Sequence, residues 1–71
     1  MKNFYIIKTE ENEYLIKEKG QFISGKDLDY SLIYRFGTLE EAKRTRDLSY
    51  PNCKVVRMIA IEEILETSDQ Y

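Results

Sequence analysis

Residues 54–61, Lys-Val-Val-Arg-Met-Ile-Ala-Ile, place apolar side chains on both alternating sets of positions, with only Arg57 breaking the run. Read as a strand, this segment has no polar face to give to water, so both of its sides need cover. The rest of the chain has little to offer for that purpose. Only one segment carries a clear helical signature, and a single helix shields one face of a sheet.

That helix starts at Thr38-Leu39-Glu40-Glu41, which matches a capping box: a threonine hydroxyl and the side chain three positions on satisfy N–H groups that the first turn leaves unpaired. Glu40 and Glu41 lie at the positive end of the helix dipole and Lys43, Arg44 and Arg46 further along it. Pro51 stops it, because proline lacks the N–H and biases Tyr50 away from helical geometry. A helix over 39–48 follows, with Leu39, Ala42, Leu48 and the stems of Thr45 and Arg46 as its buried stripe.

Phe4 to Lys8 is aromatic and β-branched, the polar residues 9–13 form a hairpin loop, and residues 14–17 return as a second strand. Phe22 and Ile23 supply a short third strand before the turn-rich Ser24-Gly25-Lys26-Asp27. In residues 30–36, alternation favours a strand with Tyr30, Leu32, Tyr34 and Phe36 on one face; a helix grouping Tyr30, Ile33 and Tyr34 is the alternative. Residues 61–66 suit a short helix or a strand extension equally, and 67–71 read as a polar, fraying tail.

The expected architecture is therefore α+β: a small, mainly antiparallel sheet of three to five strands with one helix (about 38–48) on one face, in the order β-β-(β)-β-α-β. Residues 1–66 make one domain and 67–71 its tail. The second sheet face is either polar or covered by another molecule. A chain of 71 residues is short for a self-sufficient core, and its single cysteine, Cys53, allows no internal disulfide. Self-association, as a dimer through a sheet face or an edge strand, is the expectation that follows.

The same inventory limits chemistry. Without histidine, the commonest neutral metal ligand and neutral-pH acid–base is missing, and no cofactor or metal is expected. The pairs Glu10-Glu11, Glu40-Glu41 and Glu62-Glu63 are sequence neighbours whose side chains point apart on a strand or helix. Ser24-Gly25-Lys26 lacks phosphate-loop spacing. Cys53 has only Lys54 beside it to activate a thiol and reads as inert. A non-enzymatic protein is expected. A lone cysteine fits a reducing compartment, and the N-terminal apolar run is too short for a signal peptide, so a cytoplasmic location is expected.

Binding is what remains. The net charge of −2 arises entirely from residues 51–71, with two basic and four acidic side chains, whereas a non-specific DNA binder shows a basic surplus. Six tyrosines are many for this length, and tyrosine favours interfaces. Tyr30, Tyr34 and Phe36, along one stripe, are the candidate protein interface. The alternative is a single-stranded nucleic-acid module whose patch joins Arg35, Lys43, Arg44, Arg46, Lys54 and Arg57. Neutralisation by Glu40 and Glu41 counts against it. A small-molecule sensor or enzyme is the least favoured reading.

With Phe36-Gly37-Thr38-Leu39-Glu40-Glu41-Ala42, the chain resembles short accessory proteins encoded by phages and prophages of Gram-positive bacteria. These open with a hairpin like residues 4–16, continue with an F-x-T-x-E-E-A helix start and close on a strand like residues 53–61. The likeness spans about residues 4–61 and carries over no site residue. It implies an accessory factor that acts on host or phage machinery by contacting another protein.

Overall fold

A computed structural model describes residues 2–18, 20–61 and 64–71. Strands β1 (Lys2–Lys8), β2 (Glu13–Leu15) and β3 (Phe22–Ser24) precede helix α1 (Leu39–Ser49), and β4 (Lys54–Ile61) and β5 (Ile64–Gln70) follow it. They form one sheet in the order β3-β2-β1-β4-β5, with every neighbouring pair antiparallel. The fold is α+β, with one helix on one sheet face.

Local chemistry accounts for the outlines. The β1–β2 hairpin closes through Thr9, whose N–H donates to the Glu13 carbonyl at 2.8 Å and whose hydroxyl accepts from the Glu13 N–H at 3.1 Å. Asn12 takes the left-handed conformation (φ 62°) that the tight turn demands, which asparagine tolerates better than most residues. At the start of α1, the Thr38 hydroxyl accepts from the Glu41 N–H at 3.2 Å. At its end, the Tyr50 N–H donates to the Arg46 carbonyl before Pro51 stops the helix. The stripe differs from expectation at one end. Ala42 is buried and Leu39, Thr45 and Arg46 are half-buried, but Leu48 is 79% exposed because, six residues beyond Ala42, it lies about 120° round the helix from the buried face.

Alternation along β1 and β4 sends side chains into two cores. On the helix side, Ile7, Leu15, Phe36, Ala42 and Val55 pack together with Tyr5, Phe22 and Leu39 against them. On the other side, Phe4, Ile6, Val56 and Met58 pack with Ile33, and Leu28 lies against the cluster. The chain thus covers its own second face, using the connection between β3 and α1. Ile6, Ile7, Ile33, Val55 and Val56 are the largest fully buried side chains, each contributing about 1.5–3 kcal/mol.

That connection corrects the strand expected over 30–36. Gly25–Asp27 and Tyr30–Leu32 are single 3₁₀ turns. The Asp29 carboxylate caps the second, accepting from the Ser31 N–H at 3.0 Å and the Ser31 hydroxyl at 2.8 Å. Local side-chain bonds of this kind compete with ladder formation. Beyond the turn the backbone makes only isolated antiparallel bridges, Ile16 with Ile33 and Tyr5 with Phe36. Its buried residues are Ile33 and Phe36, so Tyr30, Leu32 and Tyr34 do not share a buried face with Phe36. The observed order is β-β-β-α-β-β.

Two further expectations resolve at the C-terminus. Residues 61–66 divide between the end of β4 and the start of β5, with 62 and 63 outside the described residues. The fraying tail over 67–71 is replaced by strand: β5 runs to Gln70, and the Tyr71 N–H and carbonyl both bond to Val55. Backbone pairing with β4 outweighs the polar composition of the tail.

Candidate interaction surface

β2 diverges from β1 immediately after the Lys8–Tyr14 pair. The wedge between them is filled by residues 32–36. The Lys17 N–H donates to the Leu32 carbonyl at 2.9 Å and the Tyr34 N–H to the Leu15 carbonyl at 3.0 Å. On this connection Tyr30, Leu32 and Tyr34 turn outward, at 48%, 42% and 41% exposure.

Tyr34 stands over the buried Phe36, with ring centroids 4.7 Å apart and planes tilted by 34°. Together they wall a cleft of about 270 Å³, which Leu15, Ile16, Thr45 and Tyr50 complete and Lys17, Gly20 and Glu41 border. Tyr50 is held edge-on against Phe22 at 5.4 Å. Gly20 adopts φ +68°, and a Cβ there would lie 2.8 Å from the Tyr50 hydroxyl oxygen, so the rim needs glycine on both counts. Beyond Tyr34 a shallower hollow of about 410 Å³ lies between Lys17, Tyr34 and Arg35. Arg35 is fixed beside it, its guanidinium 4.5 Å from the Phe4 ring centroid and donating to the Tyr30 carbonyl at 3.4 Å. Lys17 makes no ion pair among the described residues.

Of the three tyrosine-stripe candidates, Tyr34 and Phe36 therefore meet at one site, Phe36 as floor and Tyr34 as wall, while Tyr30 is exposed nearby in sequence. Leu15, Lys17, Gly20, Glu41, Thr45 and Tyr50 were not singled out by sequence. Glu41, Thr45 and Tyr50 entered there only through the helix and its stop, and the fold brings all six together.

The six basic candidates do not form one patch. Lys54 and Arg57 are three positions apart on β4 and so face opposite sides, Lys54 with Val56 and Met58, Arg57 with Val55. Arg35 lies over Phe4, whose ring belongs to the core on the face opposite the helix. Arg46 is spent structurally, pairing with Asp47 at 2.6 Å and donating to the carbonyls of Cys53 and Tyr71 at 3.5 and 3.4 Å. Lys43 and Arg44 remain exposed on the helix.

Asp29 and Cys53 have displaced pKa values. Hydrogen bonds from the Ser31 hydroxyl and N–H hold Asp29 below the usual carboxylate value, and partial burial pushes the Cys53 thiol up, away from reactive thiolate. Among the described residues no three Cys, Asp or Glu side chains gather as a metal site, and no helix is long and apolar enough to cross a membrane. The chain matches no protein-family model, and no curated protein or solved structure matches it.

Proposed function

We propose that this is a small non-enzymatic binding protein whose working surface is the cleft at Tyr34 and the exposed apolar residues on the same connection. The observation that carries this reading is the placement of Tyr30, Leu32 and Tyr34. Three large side chains within five residues stay in solvent, and one of them, Tyr34, walls the cleft, although the chain has buried Ile33 and Phe36 from the same segment. Aromatic anchors of this type dominate protein–protein interfaces. The proposed setting is that of a cytoplasmic phage or prophage accessory factor, and it rests on the F-x-T-x-E-E-A likeness alone.

Affinity capture from the source cell's lysate tests this reading, using the wild-type chain beside Tyr34→Ala and Leu32→Asp. A protein retained by the wild type and lost by both variants is the expected outcome. Capture that ignores both variants removes the surface. Retention of single-stranded nucleic acid, released steeply by salt, would transfer the function to the basic alternative.

Self-association through the second sheet face has lost its motive, because Leu28 and Ile33 occupy that face. A dimer is proposed only through the sheet edges, β3 or β5. Sedimentation showing a single 8.5 kDa species at high micromolar concentration would dismiss it.

A further inference from the structure

We infer that the occupant of the Tyr34 cleft is an extended protein segment that carries one large apolar side chain with acidic residues close to it in sequence. The inference rests on the binding reading above and specifies its partner.

Size is the first argument. At about 270 Å³ the cleft falls just below the roughly 300–1,000 Å³ of pockets that enclose whole small-molecule ligands, which suits one inserted side chain better than a cofactor. Its apolar walls are Leu15, Phe36, Tyr34 and Tyr50, and of these Leu15 and Phe36 are buried in the helix-side core and Tyr50 packs against it. The anchor therefore meets preformed walls, which lowers the ordering cost of binding.

Charge is the second. Lys17 and Arg35 flank Tyr34 in the adjoining hollow, two cations with no carboxylate lining that hollow among the described residues. Arg35 is held in place by Phe4 and the Tyr30 carbonyl, so its charge is presented without further ordering. Acidic side chains next to the anchor would sit over this pair. Glu41, which lines the cleft itself, disfavours a phosphate backbone running along the whole groove.

The test is selection of a displayed random twelve-residue peptide library on the wild-type chain, followed by affinity measurement of the enriched peptides. Enriched sequences should place Asp or Glu within three positions of Leu, Ile, Met, Phe or Trp. Lys17→Glu should weaken them about fivefold or more, because it reverses a rim charge. Thr45→Trp, which fills the cleft, should weaken them at least about tenfold by excluding the anchor. Lys17→Glu changes a solvent-exposed side chain and decides the matter where the bulky variant does not fold. Enrichment of basic or uncharged peptides, enrichment of none, or indifference to Lys17→Glu overturns the inference, as does a single-stranded oligonucleotide that binds and is blocked by Thr45→Trp. If lysate capture depends on Tyr34 but no acidic consensus emerges, the protein-binding reading survives and this one falls.

Discussion

Phe36 exchanges two backbone hydrogen bonds with Tyr5, at 2.8 and 2.9 Å, and so takes the place along β1 that β2 leaves empty after one residue pair. The connection before α1 is thereby a structural part of the sheet. It closes a gap in the ladder, covers the second face with Ile33, and turns Tyr34 toward solvent.

Ile33→Ala should be among the most damaging substitutions in the chain. Ile33 is fully buried, and its truncation should cost about 2–5 kcal/mol, against less than about 1 kcal/mol for Leu32→Ala. Urea unfolding of the two variants reads this contrast directly. Equal losses, or a larger loss at Leu32, would favour the strand pattern that alternation suggested.

Gly20→Ala should destabilise by about 1–2 kcal/mol, from positive φ and from the clash with Tyr50. Tyr50→Phe removes the hydroxyl oxygen that lies 2.8 Å from the added Cβ. The double variant should therefore lose less than the sum of the single variants, measured as a double-mutant cycle. Strict additivity would show that Tyr50 does not wall the cleft at Gly20.

Thr38→Ala should lower stability by about 1 kcal/mol through loss of the bond to the Glu41 N–H, whereas Thr38→Ser should largely preserve it. Thermal unfolding of both variants compares them. An unaffected Thr38→Ala would show that α1 is held by packing alone.

Asp29 governs a pH effect. Its folded pKa lies below the ordinary value of 3.8, so its contribution is fully present above that pH and is lost as pH falls through the depressed folded value. Asp29→Asn keeps an acceptor for the Ser31 N–H but does not titrate. Stability measured from pH 6 down to about 2 should fall less steeply in Asp29→Asn than in the wild type. Parallel curves would remove Asp29 from the account.

What the sequence determined unaided were features written in neighbouring residues. The capping threonine, the stop at Pro51, the hairpin around Asn12 and the doubly apolar run 54–61 each depend on contacts within a few positions, so their outcome is legible from a short window. Asp29-Tyr30-Ser31 carried such a signal too, an Asp whose side chain closes a turn two residues on, but the period-two alternation of Tyr30, Leu32, Tyr34 and Phe36 overrode it. Tertiary structure decided the rest. Which segment covers the second face, that β2 diverges and residues 32–36 fill the wedge, and that Lys17, Gly20, Glu41 and Tyr50 border one cleft are settled by competition between surfaces far apart in the chain. Ile33 and Leu28 take the second face because burial there removes Phe4, Ile6, Val56 and Met58 from water.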